Sequence, residues 1–137
     1  MSPAVLIDTD TLSEVLKQKN ALVVAQAAAY LDEHGRFSFS ALTRYEVLRG
    51  LTSKGAAVQI AQFEAFCARS EILAIDDAVL TRAARLWALA RQMGQSRSDA
   101  DLIIAATALV HGRPLVSGNT PHFAWIPDLM LLNWRVG

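Results

Sequence analysis

The stretch Ala4-Val5-Leu6-Ile7-Asp8-Thr9-Asp10-Thr11 decides the fold. A short apolar run bounded by acids predicts a buried strand that stops at a polar edge. Leu12 to Leu16 then reads as helix, with Asp10 or Thr11 as its N-cap. The unit recurs down the chain. A helix is expected from Ala21 to His34, stopped by Gly35, before the alternating strand Arg36 to Ser40. Helical patterns follow over Ala41 to Leu51 and Ala56 to Ala68, then an apolar run, Ile72 to Ile75, that ends at Asp76-Asp77. Those acids are placed to cap a long helix, Val79 to Met93. After a polar loop, Ser98 or Asp99 caps the very apolar helix Ala100 to His111. Pro114 to Ser117 and Leu129 to Leu132 are the last strand candidates, separated by the turn-rich Gly118-Asn119-Thr120-Pro121. Apolar runs alternating with helices predict one α/β domain over residues 1–137, a mostly parallel sheet covered on both faces. In such sheets ligands bind beyond the carboxyl ends of the strands.

Composition narrows the function classes. Apolar residues make up 53% and charged residues 19%, which excludes a disordered chain. Thirteen basic residues balance 13 acidic ones, which excludes a polycationic coat for DNA but not an enzyme that acts on nucleic acid. The lone Cys67 lies in an apolar helical run and reads as a small buried hydrophobe. The N-terminus shows no secretion signal, and the very apolar uncharged segment Leu102 to Gly112 is too short to span a bilayer. A cytoplasmic protein away from membranes is expected.

The carboxylates carry the chemistry. Asp8 ends the first strand, Asp10 follows, Glu46 sits within a helix, and Asp99 and Asp101 open the most apolar helix. Structural roles are open to several of them: Asp10 and Asp99 as caps, Glu46 as a partner for Arg49. Asp101 is harder to explain that way, because a carboxylate in the first turn of a buried helix needs a cap role, a partner or a metal. Carboxylates converging on one crevice repel one another unless a cation neutralises them. Oxygen donors without a soft or imidazole-rich cluster favour Mg²⁺ or Mn²⁺ over zinc. Acids, a hard divalent ion and an anionic substrate together suit phosphodiester hydrolysis. No phosphate-binding Gly-rich loop, dinucleotide fingerprint or serine nucleophile elbow competes with this reading.

With those residues in place, the chain resembles a PIN-domain ribonuclease, and most of all the VapC-type toxins of bacterial toxin–antitoxin pairs. The resemblance rests on Val5 to Asp10, Ser40 to Gly50, Asp99 to Leu109, Leu115 to Phe123 and the ending Ile126 to Trp134, in the family's order and over essentially the whole chain. It implies a three-layer α/β/α sandwich and an acidic Mg²⁺ or Mn²⁺ site at Asp8, Glu46 and Asp101. Thr9 resembles the residue that steadies the first aspartate, Asp99 an extra acid of some members, and Asn119 a residue that orients the attacking water or a phosphate. The chain departs from the family at His122, where an acid often stands; this bears on any second metal position. Metal-activated water attacking structured RNA, such as transfer or ribosomal RNA, is the implied reaction. A homodimer and a cognate antitoxin, joined as a heterotetramer or larger assembly, are the implied partners.

Arginines suit an RNA partner. Ten of the 13 basic residues are Arg, and Arg82, Arg85, Arg91 and Arg97 occur between Asp77 and Asp99 with no acid among them. A solvated helix face is the competing explanation. Trp125 and Trp134 are expected in the core or a dimer contact. Two other functions stay open: a PIN-like binding domain impaired in catalysis, and a Mg²⁺-dependent hydrolase of small phosphoesters. The second would want a late lysine, and none follows Lys54.

Overall fold

Every expected strand forms, and each is shorter than its apolar run. A computed structural model describes residues 2–136, with the element order β1 (Leu6–Ile7), α1 (Thr9–Lys17), α2 (Ala21–His34), β2 (Ser38–Ser40), α3 (Ala41–Ser53), α4 (Ala57–Ala68), β3 (Glu71–Leu73), α5 (Asp77–Gln92), α6 (Asp99–Val110), β4 (Leu115–Val116), α7 (Thr120–Phe123) and β5 (Leu131–Leu132). The shortening has local causes. Val5 donates its N–H to the Tyr30 hydroxyl at 3.0 Å instead of to a neighbouring strand. The third strand begins at Glu71 and stops at Leu73 rather than running from Ile72 to Ile75. Its partner Ser40, registered against Leu73, leaves the ladder there to cap α3.

All strand pairs are parallel, as the alternation with helices predicts. The hydrogen bonds divide them into two ladders, β1-β4-β5 and β2-β3, and β1 packs alongside β2. Alternate residues explain why the strands read as unbroken apolar runs. Val5, Ile7 and Val116 enter a core with Leu12, Val15, Val23 and Phe63, whereas Leu6 and Leu115 enter another with Val79, Leu86, Leu102 and Phe123. Helices α1, α2 and α4 thus cover one face and α5, α6 and α7 the other. Leu6, Ile7, Leu115 and Val116 are fully buried, each such side chain contributing about 1.5–3 kcal/mol. α6 is buried on most sides, as its uninterrupted apolar sequence requires.

Two local expectations are corrected. α1 starts at Thr9, and its N-cap is Asp8, not Asp10 or Thr11; the Asp8 carboxylate accepts from Thr11 N–H at 2.8 Å. The Asp8 backbone N–H still bonds Val116 O at 3.0 Å, so one residue ends the strand and begins the helix. The turn expected over Gly118 to Pro121 gives way at Thr120 to the one-turn helix α7, with Pro in its first turn. Elsewhere the caps agree: Asp76 accepts from Val79, Ser98 from Asp101, and Gly35 ends α2 at φ 81°. Cys67 is buried, and burial pushes its thiol pKa up, as a packing residue requires. Trp134 is buried among Tyr30 and Phe37.

An ion-pair cluster joins the start of β3 to β2 and to the turn before β4. Glu71 accepts from Arg113 at 2.8 Å and from Ser38 Oγ at 2.7 Å, with Arg36 3.4 Å away. The Arg113 and Ser38 hydrogen bonds hold its carboxyl pKa down at about 2, against an ordinary value of 4.5. A depressed carboxylate stabilises the fold fully above the unfolded-state pKa and loses that contribution as pH falls towards the folded-state value. Glu71→Gln should therefore cost about 1 kcal/mol near neutrality, since solvent screens a cluster this open. Denaturant curves of the two proteins should converge as pH falls from about 4.5 to about 2; a pH-independent gap would contradict the charge-based account.

Candidate active site

The carboxyl ends of β1 and β4 gather the polar residues. Asp8, immediately after β1, is only 4% exposed. Burial raises its pKa; hydrogen bonds from Ser117 and Thr11 oppose the rise, and the nearby charge of Asp10 adds to it. Among the described residues no cation pairs with this acid, which makes its anionic form costly. Ser117, fully enclosed after β4, also accepts from Asn119 N–H at 2.9 Å through its side-chain oxygen and so shapes the turn into α7.

Glu46 arrives from α3, whose N-cap Ser40 is also the last residue of β2. Leu42 of α3 packs on the α5–α6 core, whereas Val47 and Leu48 pack on the α1–α2 core. The helix thus spans both layers and brings Glu46 to Thr9. Thr9 Oγ1 lies 2.6 Å from Glu46 Oε1 and 3.0 Å from the buried Thr43 Oγ1. With one proton, Thr9 donates to the carboxylate and accepts from Thr43. Arg49 Nη2 stands 3.7 Å from the other Glu46 oxygen. Thr9→Val should leave the melting temperature within a few degrees of wild type, because the site is half-buried. It should lower the catalytic rate about tenfold by releasing Glu46, an effect of one charge-assisted hydrogen bond. Rates equal to wild type would remove Thr9 from the site.

Asp101 reaches the same edge from the first turn of α6, where His122 Nδ1 of α7 lies 3.1 Å from its Oδ2. Asn119 Nδ2 donates to Asp10 Oδ2. The hydrogen bonds therefore link Glu46 to Thr9, Asp8 to Ser117, Ser117 to Asn119, and Asn119 to Asp10. His122 N–H in turn bonds Asn119 O, which ties Asp101 to the group. Asp99 does not join it; this exposed acid borders a groove between α5 and α6.

A family model for the PIN domain matches residues 5–124. The chain belongs to the PIN-domain family. Among curated proteins it is similar to Ribonuclease VapC1 of Methanocaldococcus jannaschii, at 28% identity over 93% of this chain and 84% of the relative. It is likewise similar to Ribonuclease VapC19 of Mycobacterium tuberculosis, at 29% identity over 90% and 95%. The crystal structure of DNA-bound VapBC from Salmonella typhimurium shares the fold, with a TM-score of 0.84 and 23% identity over 97% of this chain and 99% of that one.

The PIN-domain acids present an oxygen-only donor set at one strand edge, and buried Asp8 gains most from a cation. Both features suit a hard divalent ion. Among the described residues, no three His, Cys, Asp or Glu side chains stand close enough together to surround an ion. The hydrogen bonds supply the reason: Glu46 is held by Thr9, Asp101 faces His122, and Asp10 is held by Asn119. A divalent ion held at this edge would compete with those partners for the oxygens of Glu46, Asp101 and Asp10. Ser117 and Thr43, which contact the Asp8 carboxylate and Thr9, carry no site signal in the sequence. Small hydroxyl residues are common at strand ends and in helices, so only their adjacency to the acids in space marks them.

The four arginines of the acid-free stretch separate in space. Arg91 lies over the Trp87 ring, its Cζ 4.8 Å from the centroid. Arg97 donates to Gln95 Oε1 at 3.0 Å and Pro121 O at 3.2 Å. Arg82 and Arg85 lie on α5 and form no ion pair among the described residues. No helix among the described residues is long and apolar enough to cross a membrane.

Proposed function

We propose that this chain is a Mg²⁺- or Mn²⁺-dependent endoribonuclease that cuts structured RNA and acts in the cytoplasm as the toxin of a toxin–antitoxin pair. The observation that carries the reading is buried Asp8 at the end of β1, from which hydrogen bonds run through Ser117, Asn119 and His122 towards Asp101, while its sequence neighbour Thr9 holds Glu46. PIN-domain membership and the ribonuclease relatives support the substrate class. Asp8, Glu46 and Asp101 would hold the ion. When bound, such an ion supplies an activated water and charge for the phosphate oxygens. The chain's own residues do the positioning. Thr9, braced by Thr43, orients Glu46; Ser117 fixes Asp8; Asn119 has an amide that, freed from Asp10, donates to a phosphate or to the attacking water. Arg82 and Arg85 offer guanidinium forks to the RNA backbone. A homodimer silenced by a cognate antitoxin, as a heterotetramer or larger assembly, completes the proposal.

A nuclease assay on structured RNA tests it, with manganese, magnesium or chelator and with Asp101→Asn beside the wild type. Cleavage should need the metal and fall at least about 100-fold in the variant. Equal cutting with chelator and in the variant would overturn the metal-site reading. RNA binding without metal-dependent cutting would favour the impaired binding domain, for which His122 against Asp101 is the relevant contact.

A further inference from the structure

Two cavities adjoin at the α5–α6 junction. One, of about 280 Å³, is lined by Trp87, Arg91, Gln95, Ser96 and Arg97, with Leu102 at its floor, and no acid borders it. The other, of about 360 Å³, is an apolar groove that includes Leu80, Ile103 and Asp99. Trp87 and Leu102 belong to both and form the wall between them. Trp87 is 49% exposed even with Arg91 over one face of its ring, which leaves aromatic surface facing solvent. Arg97 Nε is a buried donor with no hydrogen-bond partner, a costly arrangement that an acceptor would relieve. Neither Arg91 nor Arg97 forms an ion pair among the described residues.

A guanidinium pair beside an exposed indole and an apolar groove matches one ligand type: a phosphate joined to a flat, stackable ring. We propose that the two cavities form a nucleotide subsite for the RNA, with a phosphate against Arg91 and Arg97 and the adjoining base on Trp87. The combined space is on the scale of small-ligand pockets, and base–aromatic stacking with Arg contacts is how single strands are held. Asp99, at the groove, offers an acceptor to a base N–H and repels a second phosphate. Position relates the subsite to the active site. Arg97 donates to Pro121 O, and the next residue, His122, faces Asp101. The subsite would therefore hold a nucleotide flanking the cut, and in this it rests on the ribonuclease reading.

Anisotropy of a fluorescein-labelled single-stranded RNA hexamer, titrated with the full chain carrying Asp8→Asn, tests the subsite. Trp87→Leu added to that chain should raise Kd about tenfold, as loss of one stacked base does. Arg91→Gln should flatten the dependence of log K on log salt by about one unit, whereas Arg69→Gln, outside both cavities, should change neither. Arg97 also braces α7, so Trp87→Leu, on an exposed position, keeps the test sound if an Arg97 variant unfolds. In the active chain Trp87→Leu should raise KM and leave kcat unchanged. Unchanged Kd, or no RNA binding at all, overturns the subsite. So does a Trp87-dependent affinity for a glutamate hexapeptide that equals the RNA affinity, or a Trp87→Leu effect on self-association alone in sedimentation. The two readings fail separately: Trp87-dependent binding without metal-dependent cutting sinks the ribonuclease alone, and cutting indifferent to Trp87 sinks the subsite alone.

Discussion

Asp8→Asn is expected to abolish RNA cleavage and, at neutral pH, to raise the melting temperature. Both effects come from one property, the buried carboxylate. Burial raises its pKa, so the folded state binds the proton more tightly than the unfolded state does. Stability then falls as pH rises from the unfolded-state pKa, 3.8, to the raised folded-state value, and the penalty is complete above the latter. Asn carries no charge and caps a helix as well as Asp, so it keeps the bond to Thr11 and removes the penalty. Melting curves should place the variant above wild type at pH 7 and level with it below about pH 4. The loss of cleavage should be about 100-fold to 10,000-fold, the scale of a metal ligand or charge-stabilising group. Manganese should raise the wild-type melting temperature, by mass action on the folded state, and leave the variant's nearly unchanged. A variant less stable than wild type at pH 7, with no manganese shift in either protein, would remove Asp8 from the proposed metal site.

The same residue shows how far the sequence can be read. Acids after an apolar run mark a strand end, and that places Asp8 at the sheet edge. Which acid caps α1 is not legible, because the rules for caps score residue type, and Asp8, Asp10 and Thr11 all qualify. The backbone bond from Asp8 to Val116, a long-range pairing, selects the first. Strand lengths are overestimated for a related reason. An apolar run reports burial, whereas a ladder needs a partner, and Tyr30 or the turn at Ser40 removes it. The helix pair α3–α4 is legible from periodicity. The spanning role of α3, which brings Glu46 to Thr9, comes from packing against both cores. The arginine series illustrates the opposite error. An uninterrupted run of one charge suggests a single surface, but α5 and the following loop send Arg91 and Arg97 to the Trp87 cavity and leave Arg82 and Arg85 apart. The balance of 13 basic and 13 acidic residues thus conceals an uneven arrangement: Arg36, Arg44, Arg49, Arg113 and Arg135 stand against carboxylates, whereas Arg82, Arg85, Arg91 and Arg97 form no ion pair among the described residues.

Phe39→Ala should be the most damaging single change to the fold, and it should silence the site indirectly. Phe39 is fully buried in the middle of β2, its ring stacked 6.1 Å from Phe66 in the core that also holds Phe37 and Phe63. Truncating such a ring costs about 3–5 kcal/mol, the lost transfer energy plus a cavity that the neighbours only partly fill. For a domain of this size the melting temperature should fall by roughly 10–20 °C. The consequence reaches the chemistry through the chain itself. Phe39 precedes Ser40, whose hydroxyl accepts from Leu42 N–H at 3.0 Å and starts α3. That helix carries Thr43 and Glu46 to Thr9. Loosening β2 should therefore lower activity at temperatures where the variant is still mostly folded, whereas Phe39→Leu, which keeps most of the volume, should restore both. Phe63→Ala removes a ring from the same core, but its helix, α4, carries none of the proposed site residues, so it should cost stability with a smaller loss of activity below its melting temperature. Equal activity losses in Phe39→Ala and Phe63→Ala at matched fractions folded would show that β2 supports the site only through global stability.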